Sequence, residues 1–174
     1  LAAGTTTIEA KSGYGLDLDN ELKLLRVIRT VAGHGPLEIV PTFLGAHAVP
    51  PELKNRKDEF VARVCEDMIP RVGAEKLAVF VDLFCERGYF DVADLEKIAG
   101  AGAKAGLKLK VHAEQLSRLG SLAAAIKLEA VTADHLDCVE EADLPALAAS
   151  KTVACLVPGS NYFLGKPYPP GRRL

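Results

Sequence analysis

A chain of 174 residues, 49% apolar and with a formal net charge of -2, can bury roughly 70% of its unfolded surface and so build a real core. The mild acidity leaves no electrostatic footprint for nucleic acid or an anionic membrane. No apolar run approaches the roughly 20 residues of a membrane helix, and no low-complexity tract or charge block suggests disorder.

The first predicted element is a strand over Thr5 to Ala10, short and β-branched. Lys11-Ser12-Gly13-Tyr14-Gly15 follows as a glycine-rich loop. Asp17 or Asp19 can cap the next helix, where Leu24, Ile28, Val31 and Leu25, Ile28, Ala32 recur at helical spacing. Gly33-His34-Gly35-Pro36 ends it. Leu37 to Leu44 reads as the second strand and runs into Gly45-Ala46-His47. A helix starts near Arg56 with Phe60, Val64 and Met68 on one face, and Pro70 suits the first position of a second short helix.

Ala78 to Cys85 is the third strand, an almost unbroken apolar run of the kind found in parallel sheets. Asp91 and Asp94 form a capping-box pattern ahead of Leu95, Ile98 and Ala99, and Gly106 stops that helix. The fourth strand, Lys108-Leu109-Lys110-Val111, stops on His112 with Ala113-Glu114-Gln115 behind it. A helix over Leu119 to Lys127, a strand over Ala130 to Ala133 leading into Asp134-His135, a helix over Glu140 to Ala149 and a strand over Thr152 to Val157 complete the pattern. The last strand runs into Pro158-Gly159-Ser160-Asn161-Tyr162.

Strand and helix alternate six times, which means a parallel sheet with right-handed crossovers. A doubly wound sheet and most of a (β/α)8 TIM-type barrel both fit. The barrel is favoured because Tyr14, His47, His112, His135 and Asn161 follow every strand but the third. Barrel tips converge on one mouth, whereas those of an open sheet spread along an edge. Six units do not close eight strands, so one strand is expected before Leu1 and one after Leu174. The opening Leu1-Ala2-Ala3-Gly4, with no basic leader-like stretch, and the ending Pro169-Pro170-Gly171-Arg172-Arg173-Leu174 also suggest a piece of a longer protein. We therefore expect residues 1–174 to be the central part of one catalytic barrel domain.

Four cysteines, Cys65, Cys85, Cys138 and Cys155, lie in apolar contexts without a CxxC pair. They read as small buried hydrophobes in a reducing cytoplasm rather than as disulfides or a thiolate zinc site. Three of the four histidines end strands. One such residue alone would be a structural histidine; three at equivalent ends point to a shared site. His112 is the first candidate for a metal ligand, since imidazole suits zinc and iron. Neither an HxH pair nor an HExxH helix supplies further ligands. Asp134-His135 can supply acid–base or oxyanion chemistry, although Asp134 can equally cap a turn. Tyr14 and His47 are neutral donors suited to a polar substrate. Lys11 can meet an anionic group or simply be solvated. Glu86 and Glu114 are the carboxylates nearest a tip, as catalytic groups or as supports. Walker, GxGxxG and GxSxG motifs are missing at the strand ends.

Taken together, Lys11-Ser12-Gly13-Tyr14-Gly15-Leu16, Pro41-Thr42-Phe43-Leu44-Gly45-Ala46-His47, Val81-Asp82-Leu83-Phe84-Cys85-Glu86, His112-Ala113-Glu114-Gln115, Ala133-Asp134-His135-Leu136 and Leu156-Val157-Pro158-Gly159 resemble the imidazolonepropionase family of the amidohydrolase superfamily. The resemblance runs from end to end and in order. It implies a metal-dependent hydrolase that opens the ring of 4-imidazolone-5-propanoate to N-formimidoyl-L-glutamate in histidine degradation. It implies His112 as a ligand of one zinc or iron ion, and Tyr14, His47 and Gln115 as substrate-binding positions. His135 would be the histidine near the attacking water, with Glu114 as a second candidate catalytic group.

The HxH ligand pair and a substrate arginine that the resemblance implies would lie upstream, and the aspartate ligand downstream. The isolated chain is thus expected to bind metal poorly and turn over negligibly. Its partner would be a small-molecule substrate, with no nucleic acid and no membrane, and with a homodimer left open. The alternatives are another amidohydrolase, a cyclic amidase or deaminase, and a non-catalytic binding module on the same scaffold.

Overall fold

The computed structural model describes residues 1–174. Chain order runs β1 (Thr7–Lys11), α1 (Leu18–Ala32), β2 (Glu38–Ala46), α2 (Lys57–Arg63), α3 (Ile69–Ala74), β3 (Phe80–Cys85), α4 (Val92–Lys104), β4 (Lys108–Ala113), α5 (Ser121–Lys127), β5 (Thr132–His135), α6 (Leu144–Ala148), β6 (Val153–Cys155) and α7 (Pro158–Leu164). All six strands are parallel, and their order in the sheet is their order in the chain. A doubly wound sheet reverses direction at a switch point. This sheet does not, so every crossover adds the next strand on the same side and the sheet curls into part of a (β/α)8 barrel.

Helix boundaries follow local chemistry. Asp17 caps α1 by accepting from Asn20 N–H at 2.8 Å. Asp91 and Asp94 form the reciprocal capping box of α4. Pro70 lies in the first turn of the second short helix, α3, as its sequence position suggested. Its missing N–H and its ring are incompatible with a bond to the carbonyl four residues back. The chain absorbs this in one widened π turn over Val64–Met68 and continues directly into α3. Phe60, Val64 and Met68 are all buried.

The core lies between the convex face of the sheet and the helices. Strand periodicity sends Val81, Leu83 and Cys85 of β3 and Leu109, Val111 and Ala113 of β4 into it. Leu25, Phe60, Ile69, Leu95 and Ile98 cover them from the helices. Gly102 allows α4 to lie close to β3, since a Cβ there would sit 2.5 Å from Val81 Cγ1. In α1 the inward stripe is Leu22 and Leu25, while Leu24 and Val31 face solvent, so the buried face is narrower than the apolar spacing suggested.

Toward the C-terminus β5 is shifted by two residues and β6 is shorter than expected. β5 spans Thr132–His135 and thus includes Asp134 and His135. β6 has three residues, the stretch Pro158–Leu164 after it is helical, and the helix expected over Glu140 to Ala149 is a 3-10 turn followed by α6. The four cysteines are free, but Cys155 is exposed, not buried, because the face of β6 that carries it is uncovered. No helix is long and apolar enough to cross a membrane.

Candidate metal centre

The mouth is built from the ends of β1, β2, β4 and β5. Beyond β1, Ser12 keeps the chain against β2: its N–H donates to Thr42 O at 3.0 Å, and its Oγ accepts from Leu44 N–H at 3.2 Å. Gly13 has φ +126°, and a Cβ there would stand 2.8 Å from Leu44 O and 3.2 Å from His47 Cβ. That close approach sets Tyr14 edge-on to His47, with ring centroids 4.7 Å apart. The loop is also tied from below by Glu21, a fully buried carboxylate whose Oε1 accepts from Gly15 N–H (2.7 Å) and Leu16 N–H (3.1 Å). Nothing in the sequence pattern singled out Glu21, which reads as an ordinary acidic residue in a helix's first turn.

His112 stands at the centre. Its ring centroid lies 5.2 Å from that of His135 and 6.4 Å from that of His47. Its Nδ1 is 3.1 Å from Asp82 Oδ1, which leaves Nε2 free. Burial disfavours the charged form of His112, but the adjacent Asp82 carboxylate and its hydrogen bond outweigh this and raise the pKa. The same arrangement, with Lys11, overcomes the burial of Asp82 and holds its carboxyl far below the usual range. Burial, and then the nearby His112, lower His47 and take His135 down to about 4, so both are neutral imidazoles near pH 7. The backbone is strained at the same place: Glu114, His135 and Leu136 have φ of 51°, 79° and 59°. Non-glycine residues pay for that conformation, and it clusters at functional sites.

Two further carboxylates belong to this cluster: Asp82, to which the sequence pattern assigned no role, and Asp134, read as an acid–base group or a turn cap. Asp82, hidden in the apolar run of β3, points to the concave face and is fully buried. Asp134, the register neighbour of His112 on β5, is also buried. Lys11 is not a solvated loop residue: its Nζ lies 2.6 Å from Asp82 Oδ2, 3.1 Å from Glu9 Oε1 and 3.5 Å from Asp134 Oδ2. The signal that could have exposed them is the period of two that puts Lys11, Asp82 and Asp134 inward.

Glu114, expected beside His135 as a catalytic group, is turned away from the mouth. Its Oε1 accepts from Ser121 Oγ and Leu122 N–H and its Oε2 from Leu119 N–H, so the carboxylate secures the start of α5. The orphan N–H groups of a helix start attract a carboxylate. Glu86 serves the same loop from β3, accepting from Leu116 N–H (2.8 Å), Ser117 N–H (3.2 Å) and Ser117 Oγ. Gln115, next to Glu114, instead reaches across to α7, where its Nε2 donates to Ser160 Oγ at 3.2 Å. His34, given no role, lies exposed in the α1–β2 turn.

The donor set suits a metal held by His112. Asp82, His112 and Asp134 offer ligand atoms within 4.8 Å of one another. Between the two aspartates, however, the Lys11 ammonium already supplies a cation. Three of the seven buried side-chain atoms without partners belong to neighbours of His112: His47 Nδ1, His135 Nδ1 and Asp134 Oδ1 make no hydrogen bond. Buried polar atoms normally find a partner, so a cluster of orphans beside a free imidazole nitrogen marks a place for a bound group. Imidazole suits zinc or iron.

No family model matches the chain. Among curated proteins it is similar to imidazolonepropionase of Flavobacterium psychrophilum, 43% identical over 174 residues, covering 100% of this chain and 42% of the relative. It is similar to those of Burkholderia orbicola, 48% identical over 94% of this chain and 40% of the relative, and Shewanella piezotolerans, 50% identical over 92% and 40%. The chain thus spans about two fifths of the length of these relatives (42% and 40%). Among solved structures it is similar to a mutant atrazine chlorohydrolase from Arthrobacter aurescens complexed with zinc and atraton, with TM-score 0.61, 12% identity, and coverage of 98% of this chain and 42% of that one. An adenosine deaminase from Xanthomonas campestris with bound zinc gives TM-score 0.56 at 15% identity, over 98% and 39%. At such identities these structures speak to the fold alone.

Proposed function

The chain resembles imidazolonepropionases along its whole length, and from that premise we propose that it carries the central strands of a metal-dependent barrel hydrolase. The reaction is hydrolysis of the cyclic amide C–N bond of 4-imidazolone-5-propanoate, giving N-formimidoyl-L-glutamate. The observation that carries this reading is the meeting of His47, His112 and His135 around unpartnered buried atoms at one barrel mouth.

His112 would hold one zinc or iron ion through its free Nε2. When bound, such an ion lowers the pKa of water and stabilises the oxyanion that forms as a cyclic amide is attacked. His135, neutral because burial and His112 take its pKa to about 4, can accept a proton from the attacking water at its unprotonated ring nitrogen, or polarise the carbonyl. Tyr14, stacked edge-on against His47, offers an exposed hydroxyl to the substrate, and His47 offers a neutral imidazole. Gln115 cannot serve as a base; its amide, anchored on Ser160, can hold the substrate. Glu114 takes no part as acid or base in this reading and keeps the strained β4 tip in place. Four free cysteines are compatible with a reducing, cytoplasmic setting.

The test uses the complete polypeptide of which this chain is a part. Consumption of 4-imidazolone-5-propanoate with formation of N-formimidoyl-L-glutamate should be lost on chelation and restored by zinc or iron. No turnover of this substrate by the metal-loaded protein, with turnover of another cyclic amide or an aminopurine instead, would move it to a different amidohydrolase activity.

A further inference from the structure

Barrels of this kind fill their interior in layers, each layer contributed by alternate strands and dominated by branched apolar side chains. One layer here is ionic. β1, β3 and β5 send inward Lys11, Asp82 and Asp134, whose charged ends meet within 3.5 Å of the Lys11 ammonium. Burying such charges costs free energy, and well-packed apolar residues of similar volume would serve the fold as well or better. The arrangement of Asp82 suggests what the layer does instead. Its two oxygens have different partners: Oδ2 takes the Lys11 ammonium at 2.6 Å, and Oδ1 faces His112 Nδ1 at 3.1 Å. Lys11 is itself held by three carboxylates, from Glu9, Asp82 and Asp134, so a flexible side chain is fixed in one position.

We propose that Lys11 and Asp82 are positioning residues for His112: Lys11 anchors one oxygen of Asp82, and the other accepts the Nδ1–H. The ring is thereby held in the tautomer and orientation that keep Nε2 free for a metal. The inference rests on the reading of His112 as the metal-holding residue. A carboxylate bonded to the far nitrogen of a ligating histidine sets both its tautomer and its basicity. Asp82 fills that position from within a strand, three residues before the end of β3 at Cys85. Lys11 extends the device across the barrel to β1, and it couples the histidine's orientation to correct pairing of β1 through β5.

The experiment measures the zinc dissociation constant of the complete polypeptide by competition with a chromophoric chelator, alongside the urea midpoint in excess EDTA. Asp82→Asn is expected to weaken zinc binding about 10–100-fold. Lys11→Met should weaken it less, and the double variant should bind no more weakly than Asp82→Asn alone, because the anchor acts only through Asp82. A folded Asp82→Asn variant with wild-type zinc affinity overturns the proposal, and additive losses in the double variant overturn the anchoring role of Lys11. If Asp82→Asn does not fold, Lys11→Met decides: unchanged zinc affinity rejects the device. His112→Ala separates this from the reading beneath it. Wild-type zinc affinity in that variant removes His112 from the metal site altogether. A large loss there, with none for Asp82→Asn, leaves the metal site standing and removes only the positioning pair.

Discussion

The two faces of the sheet are built from the same strands and do opposite things. On the convex face, Val81, Leu83 and Cys85 of β3 and Leu109, Val111 and Ala113 of β4 are packed under helices without a charged residue among them. On the concave face, one residue away along each strand, stand Asp82, Lys110 and His112: Lys11 and Glu9 of β1 pair with Asp82 and Lys110, and His112 pairs with Asp82. One face contributes the apolar burial that folds the chain; the other spends free energy on ionic order. Strand alternation makes this division possible, because neighbouring residues never compete for the same side.

The comparison can be broken residue by residue. His112→Ala should take activity of the complete polypeptide to the uncatalysed background while changing the urea midpoint in EDTA little, as read by steady-state assay and denaturation on the same preparation. Leu83→Ala, on the other face, should cost about 2–5 kcal/mol of stability and leave turnover per folded molecule unaltered. Loss of activity beyond the folded fraction would show that the faces are not separable. Gly102→Ala forces a methyl to 2.5 Å from Val81 Cγ1 and should cost about 1–3 kcal/mol through overpacking, visible as a lower melting temperature. Asp91→Ala removes one half of the α4 capping box and should cost about 1 kcal/mol.

A pH-dependent effect sharpens the concave side. His135 has a folded pKa of about 4 against an ordinary 6.5. Between those values the unfolded chain takes up a proton that the folded chain refuses, so this residue's contribution falls as pH drops from about 6.5 to about 4. His135→Gln should therefore flatten the acid side of the stability profile measured in EDTA, against the opposite contribution of His112, whose raised pKa favours the folded state at low pH.

Carboxylates of one type were sorted by position alone. Glu86 and Glu114 stand just beyond or at strand ends, where free loop and helix N–H groups capture them. Asp82 and Asp134 stand within strands, where the concave face and Lys11 capture them. Following a strand tip made Glu86 and Glu114 candidates as catalytic or supporting groups, and Asp134 stood out beside His135, whereas Asp82 lay unmarked inside an apolar run. Distance along the chain to a strand end is visible in a sequence. The nearest unpaired N–H is not.

What the sequence determined by itself was the βα alternation, the caps at Asp17 and Asp91, and the three histidines that end strands. All of these depend on residues within a few positions of one another, through strand period, turn chemistry and helix-end hydrogen bonding. Only the tertiary structure decided that Lys11, Asp82 and Asp134 meet, that Asp82 faces His112, and that Glu114 turns away from the mouth. The contacts of Lys11, Asp82, Asp134 and His112 join residues 30 to 123 positions apart. They are set by strand order, curl and stagger across β1, β3 and β5, which no local pattern encodes.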